Sequence, residues 1–448
     1  MKAIFSQFYQ NLFLANRLFY LVGSVALLFL ISFFIPWLGD IPVILFWTVI
    51  ILMLIDIWLL YRVKSGFLSR RSTPEKLSNG DENEISVFLE NQYSFPIQAE
   101  IIDEIPHQFQ KRDISFKASL KSKERKTITY NLRPTKRGVY EFGLIRVYVR
   151  SGLGLVIRRY NFESVKDLAV YPSFLHLRKY ELLAISNRLS EYGIKKIRRL
   201  GNSMEFDQIK NYVSGDDFKN LNWKASARHG SLMVNSYIEE KSQHIYCVID
   251  KSRLMKMPFD GLSLLDYSIN ACLVLSKVAL VKEDKVGLIT ISDKSGAIIS
   301  ADKKATQLNK FLEVLYKEKT RYMETNMELL YNTIRRTLKQ RSLVVYFTNF
   351  ESLNGLERQL PYLKRISKFH LLIIVFFENI ELKALSKKNA NDVEEIYIKT
   401  VAEKFIHEKK LIVKELSRHG IQSILTSPQN LTVNALNKYI EIKAQQKI

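Results

Sequence analysis

Two long apolar runs open the chain. Leu18 to Leu38 carries no charged residue, and Ile41 to Tyr61 carries one, Asp56. Each has about the ~20 residues that cross a hydrocarbon core as a helix, so the pattern predicts two membrane spans (18–38 and 41–61) forming an anchor over residues 1–64. The residues ahead of them, with Phe5, Phe8, Tyr9, Leu12 and Phe13, read either as an interfacial amphipathic helix or as an extension of the first span. From Glu84 to Tyr171 the period falls to two, as in Ile85–Leu89, Gln98–Ile102, Lys126–Tyr130 and Leu144–Val149. Short strands separated by turn signals, with no helical pattern between them, predict an antiparallel β-sandwich over 80–175.

Beyond residue 185 strand and helix patterns alternate. Helices are predicted over 262–281, 306–316, 327–338, 356–366, 393–418 and 433–443, and strands over 286–291, 343–348, 370–377 and 421–425. Gly420 supplies the stop after the long helix. Alternation of this kind implies a doubly wound, mostly parallel sheet covered on both faces. The expected fold class is therefore α/β with an all-β insert: helical hairpin, β-sandwich, then an α/β domain over 185–448.

Charge adds orientation. Lys2 and Arg17 precede the first span, Arg62, Lys64, Arg70 and Arg71 follow the second, and the connecting Gly39-Asp40 has no cation. Both ends of the hairpin then face the cytoplasm, and the bulk of the chain is expected on the cytoplasmic side of the inner membrane. A cleaved signal peptide does not suit Arg17 and the second span. The net charge of +22, from 67 Lys and Arg against 45 Asp and Glu, suits an anionic membrane surface or nucleic acid. Lys404, Lys409, Lys410 and Lys414 on the long helix motivate a nucleic-acid reading, but no helix-turn-helix or aromatic RNA platform accompanies them. Cys247 and Cys272 lie inside apolar patterns and read as buried small hydrophobes. Asp56 has two readings: a functional intramembrane acid, or a residue near enough to the end of the span to reach the headgroups or a basic neighbour.

The candidate chemistry concentrates between Gly201 and Asp250. Trp223 is expected to bury its ring with the indole N–H satisfied. Arg228 is suited to bidentate pairing with Glu205, Asp217 or Glu239, forming a clamp that holds the segment to the sheet. The other reading of these residues is a partner-facing surface. Asp250 closes an apolar strand, His244 to Ile249, at the end where open α/β sheets place ligands; a helix cap or a set of loop-amide hydrogen bonds is its structural alternative. No Ser-His, Cys-His or paired-carboxylate spacing and no Gly-x-x-x-x-Gly-Lys-Ser loop occurs, so neither an enzyme nor an ATPase is expected. A hydrolase remains the weakest alternative.

The run Glu205-Phe206, Tyr212, Gly215-Asp216-Asp217, Asn222-Trp223-Lys224-Ala225-Ser226-Ala227-Arg228 and Glu239-Glu240 resembles the signature of domain-of-unknown-function family 58. Leu416 to Ile421 and Asn437 to Lys443 look like the tail of that family. The resemblance implies a sheet similar to a von Willebrand factor type A domain and association with MoxR-type AAA+ ATPases or other type A-domain proteins. It also implies an Asp-x-Ser-x-Ser loop for a divalent ion such as Mg²⁺. Asp250 and Ser252 match its first two positions and Thr325 its threonine, whereas Leu254 replaces the third and Asn349 stands where an acid is expected, with Glu351 nearby. The site is thus degenerate. The function expected is a membrane-anchored docking or scaffold protein, with a basic nucleic-acid- or anionic-lipid-binding protein as the alternative.

Overall fold

A computed structural model describes residues 10–111, 114–163, 165–173, 205–214, 216, 218–238, 243–390 and 392–445. Its contacts divide into two compact units, Met1–Tyr171 and Pro172–Ile448.

In the first unit the apolar runs form α1 (Asn16–Phe34) and α2 (Ile41–Tyr61), preceded by a short strand, β1 (Leu12–Leu14). Both helices are long and apolar enough to cross a membrane, and Tyr20, Leu30, Phe33, Phe34, Trp47 and Trp58 stand exposed along them. Of the segment read as an interfacial helix or an extension of the first span, residues 1–9 lie outside the described residues, Gln10 and Asn11 are helical, and Leu12–Leu14 form a strand that separates them from α1. Leu14 pairs with Val156, and the Ala15 N–H donates to the Leu155 carbonyl at 3.0 Å. The sheet supplies the backbone partners that a helix would have supplied internally.

The period-two region forms ten strands: β2 (Phe67–Ser72), β3 (Lys76–Ser78), β4 (Asn83–Asn91), β5 (Ile97–Asp103), β6 (Ser115–Leu120), β7 (Arg125–Leu132), β8 (Gly138–Phe142), β9 (Ile145–Arg150), β10 (Val156–Phe162) and β11 (Lys166–Tyr171). A five-stranded sheet runs β1-β10-β9-β5-β6, and three-stranded sheets run β2-β4-β7 and β3-β11-β8. Pairing is antiparallel except between β3 and β11. Alternate residues such as Val87, Leu89, Ile145, Val147 and Val149 turn inward, and Leu18 and Leu60 of the apolar helices join the same core.

The end of α2 is tied into this sandwich by polar contacts. Asp56 is fully buried and accepts the N–H groups of Leu155 and Val156, each at 2.9 Å, together with the Ser151 hydroxyl. The Arg158 guanidinium donates to the last carbonyls of the helix and its exit, Leu60, Val63 and Lys64. Tyr93 donates to the Leu60 carbonyl at 2.8 Å. These contacts satisfy carbonyls that a helix end leaves open.

The second unit begins with a hairpin, β12 (Glu205–Asn211) against β13 (Met233–Ile238), enclosing a short helix, α3 (Trp223–His229). There follow β14 (His244–Asp250), a small ribbon of β15 (Pro258–Phe259) and β16 (Leu262–Ser263), and α4 (Leu264–Val281). Next come β17 (Lys285–Ile291), β18 (Ser295–Asp302), α5 (Gln307–Lys317), α6 (Met327–Thr337) and β19 (Leu343–Phe347). The chain closes with α7 (Leu353–Phe369), β20 (Leu371–Phe377), α8 (Ile380–Lys387), α9 (Val393–Arg418), β21 (Gln422–Thr426) and α10 (Leu431–Ala444). Six strands order as β18-β17-β14-β19-β20-β21, all parallel except the edge pair β17–β18. Because side chains alternate along a strand, Ile245, Cys247 and Ile249 enter one core with α4, α5 and α10, while Tyr246 and Val248 enter the other with α6, α7 and α9. Helix α4 is also apolar and long enough to span a membrane, but its side chains fill the first of these cores. Both cysteines are buried and free, and burial pushes the Cys272 thiol well up.

Candidate functional site

At the carboxyl end of the parallel strands, Asp250 terminates β14 with 1% of its surface exposed. One carboxylate oxygen accepts the Ser252 N–H at 2.8 Å and the Thr325 hydroxyl at 2.5 Å; the other accepts the Thr348 hydroxyl at 2.7 Å. The loop before α6 and the end of β19 are thereby pinned to the end of β14. Burial pushes the Asp250 carboxyl up, and the hydroxyl and amide donors pull against that shift. Beside it, Lys251 donates to Glu318 at 2.6 Å, and the other oxygen of Glu318 accepts from Thr290 at 2.7 Å.

Asp250, Ser252 and Thr325, the residues the family resemblance singles out, are in contact through the Asp250 carboxylate. The Ser252 hydroxyl is buried without a hydrogen-bond partner among the described residues, an oxygen a cation would use. The rest of the donor set falls short. Mg²⁺ takes about six oxygens in near-octahedral array, whereas here a single carboxylate has both oxygens already engaged. The third loop position is Leu254, and the Asn349 side-chain oxygen accepts the Lys409 ammonium at 2.8 Å. Among the described residues no group of three or more His, Cys, Asp or Glu is arranged to hold a metal. The arrangement acts as a hydrogen-bonded brace at the strand ends.

In the signature segment Trp223 is not buried as expected, and the carboxylates named for the Arg228 clamp, the side chain of Glu205, Asp217 and Glu239, fall outside the described residues. Trp223 is 70% exposed, and the reason is local. The Asn222 side chain caps α3 by accepting the Ala225 N–H at 3.0 Å, and its amide donates to Asn235 at 2.8 Å. The Ser226 hydroxyl accepts the Met233 N–H at 2.8 Å. Polar residues Asn222 and Ser226 therefore hold the helix to β13, and Gly230 closes it in the left-handed conformation at φ 68°. Trp223, at the first helical position, is left facing solvent. Arg228 and Ala227 are exposed as well, and Arg228 makes no ion pair among the described residues. Asp216 accepts Lys210 at 2.8 Å and the Val213 N–H at 3.1 Å, and the Lys210 hydrogen bond lowers its pKa. The Tyr212 ring tilts against Phe218 at 5.2 Å. The backbone of Glu205 pairs with Ile238; the side chain of Glu205, together with Gly215, Asp217 and Glu239, lies outside the described residues. The same hairpin also exposes Phe218, Val213, Leu232 and Ile209.

Residues 208–396 match the family described as Protein of unknown function DUF58. The expected resemblance is thus shown for that segment, which runs from the hairpin through the first turn of α9. A relative, Uncharacterized protein YeaD of Bacillus subtilis (strain 168), is 27% identical over 200 residues, covering 43% of this chain. The match spans about half of that relative, 49% of its length. Among solved structures, the conserved hypothetical protein BatB of Bacteroides thetaiotaomicron is 13% identical, covering 46% of this chain and 100% of that one at a TM-score of 0.32. The CARDB domain of the PF1109 protein of Pyrococcus furiosus, in complex with di-metal ions, is 17% identical, covering 23% and 91% at a TM-score of 0.17. At these scores neither defines the fold.

Two residues of the parallel unit hold positions that the sequence did not assign to them. Thr348, an Asp250 partner, carries no motif of its own. Lys409 does carry a signal: Ala402, Phe405, Lys409, Ile412 and Leu416 recur at three and four along α9, so Lys409 lies on the inward face of the helix. Its ammonium donates to the Asn349 side chain and the Phe350 carbonyl. It is therefore no part of a basic nucleic-acid surface.

Proposed function

We propose that this chain is a membrane-anchored docking protein, held at the cytoplasmic face of the inner membrane by α1 and α2. Its α/β unit, a sheet similar to a von Willebrand factor type A domain, takes a MoxR-type AAA+ ATPase or the client of such an ATPase. The observation that carries this reading is the exposure of Trp223, with Phe218, Val213 and Leu232 also exposed in the same hairpin, inside the segment that matches the family. Large aromatic side chains left in water on a hairpin held by its own hydrogen bonds are suited to be anchors at an interface. The brace around Asp250 supports the same reading by keeping the parallel unit rigid. No arrangement of nucleophile and base among the described residues calls for a reaction, and any ATP would be handled by the partner.

The test is capture of the tagged, full-length protein from detergent-solubilised membranes, with and without ATP, followed by mass spectrometry. Enrichment of an AAA+ ATPase that disappears in a folded Trp223→Ala, Phe218→Ala variant supports docking at the hairpin. Equal recovery with that variant removes the hairpin from the interface, and absence of any ATPase under both conditions removes the partner.

A further inference from the structure

A cavity of ≈ 550 Å³ opens at the carboxyl ends of the strands in the second unit, between the loop after β14 and the pair α8 and α9. Its size falls in the range of about 300–1,000 Å³ typical of small-molecule sites, and such crevices form where parallel strands end. Leu254, Met257, Phe259, Phe377, Leu382 and Phe405 give it an apolar lining. Lys409 and Asn349 stand in the same wall. An ammonium has three donors. Two of the Lys409 donors are spent on Asn349 and Phe350, and the ammonium also lies over the Phe376 ring, 5.7 Å from its centroid; the third donor has no nitrogen or oxygen partner among the described residues.

The charges around the cavity limit what this donor can receive. Arg253 is held on Glu324 at 3.1 Å, and Glu378 is held by Lys383 at 2.9 Å. Glu351, which favours the charged form of Lys409, and Glu381 also line the space. Exposed Lys410 lines the space as well, so three cations, Arg253, Lys409 and Lys410, face three carboxylates, Glu351, Glu378 and Glu381, and the lining carries no net positive charge to draw a polyanion such as a phosphate. An apolar lining in which Lys409 is the partly buried donor suits an apolar body bearing a single negative group. We infer that the cavity binds a small apolar monocarboxylate, with the carboxylate on the Lys409 ammonium and the hydrocarbon among Leu254, Met257, Phe259 and Phe405. Desolvation, which lowers the Lys409 pKa to about 8, leaves an ammonium that gains from a carboxylate neighbour. This site uses none of the hairpin residues, so it holds or fails independently of the docking reading.

The test uses the full-length protein in lipid nanodiscs with octanoate as the probe. Lysines are reductively dimethylated near pH 8, and the rates at Lys409 and at the exposed Lys414, which lies outside the cavity lining, are read by peptide mass spectrometry. Octanoate is expected to slow labelling of Lys409 at least tenfold, saturably, with little change at Lys414. Acetate, lacking the tail, and octanol, lacking the charge, are expected to leave both rates unchanged. No protection by octanoate, equal protection by octanol, or equal slowing at Lys414 would overturn the assignment. As a second readout, saturation-transfer NMR on octanoate should lose its signal with Lys409→Met, the variant being checked as folded by a cooperative melt well above the measuring temperature. A folded Lys409→Met protein that transfers saturation undiminished would also overturn it.

Discussion

Asp56, near the end of the second apolar helix, accepts the backbone N–H of Val156 on β10 at 2.9 Å. With the Leu155 N–H and the Ser151 hydroxyl on the same carboxylate, the only charge in either apolar run ties its helix to the sandwich. Both roles the sequence suggests for Asp56, an intramembrane functional acid and a partner for headgroups or a basic neighbour, are thus replaced by a structural one. Asp56→Ala leaves buried amides unpaired, at about 1–3 kcal/mol for each such donor. The variant is expected to melt lower and to be cleaved faster in the Gly152–Gly154 turn; unchanged melting and proteolysis would exclude the tie.

The hairpin predicts the opposite behaviour for its largest side chain. A buried Trp223 would cost about 3–5 kcal/mol on truncation, but an exposed one removes little packing. Trp223→Ala should leave stability within about 0.5 kcal/mol of the parent. Asn222→Ala, which deletes the helix cap, should cost about 0.5–2 kcal/mol. Chemical denaturation of the two variants side by side checks the order, and a larger loss for Trp223→Ala would place its ring in a packed interior.

How much of this was legible depends on what each residue is for. The helix Val393–Arg418 follows the predicted bounds because Asp392 caps its start and Gly420, at φ 71°, stops the chain just beyond it, and the strand Leu371–Phe377 lies within one residue of its predicted bounds because it is an unbroken apolar run. The edge strand Ser295–Asp302 has mixed polarity and pairs on one side only, so its pattern is weak. The helix Ile380–Lys387 has no buried residue and left no inward stripe to read. At the sites, Asp250 was visible as the polar end of an apolar strand and Thr325 only through the family resemblance. Trp223 misled, since composition says that an aromatic ring wants burial but not whether a partner supplies it. Lys409 was hidden by its charge; its place in the three-four repeat pointed inward.

The brace at Asp250 separates two substitutions. Asp250→Ala strands the Ser252 N–H and the Thr325 and Thr348 hydroxyls, at about 1–3 kcal/mol for a buried unpaired group. Asp250→Asn keeps an acceptor for the first two, lets Thr348 turn to accept from the amide, and removes a buried charge. Burial raises the pKa of Asp250 above its value in the unfolded chain, so its contribution to stability is fully present below the unfolded value and is lost as pH rises through the folded one. Melting from acidic to neutral pH should therefore show a falling term that Asp250→Asn lacks. Adding Mg²⁺ or a chelator should move neither protein; a Mg²⁺-dependent rise in the parent alone would mean that the four oxygens do hold an ion.

Lys409 gives a pH dependence of the other sign. Burial lowers its pKa from 10.5 to about 8, with Glu351 partly opposing the shift. Between those values the unfolded chain binds a proton that the folded chain has released, so this group makes stability increase with pH across that window. Below about pH 8 both states are charged, and the full cost of burying the ammonium is present. Lys409→Met removes the cost and the slope together. The difference in melting temperature between parent and variant should thus be largest near neutral pH, in favour of the variant, and should shrink as the pH approaches 10. The loss of bonds to Asn349 and Phe350 shifts the whole curve down without changing its slope, which is why the pH dependence is the quantity to measure. A parent-to-variant difference that stays constant from pH 7 to 10 would mean that Lys409 titrates as an ordinary surface amine and that the cavity wall is solvated.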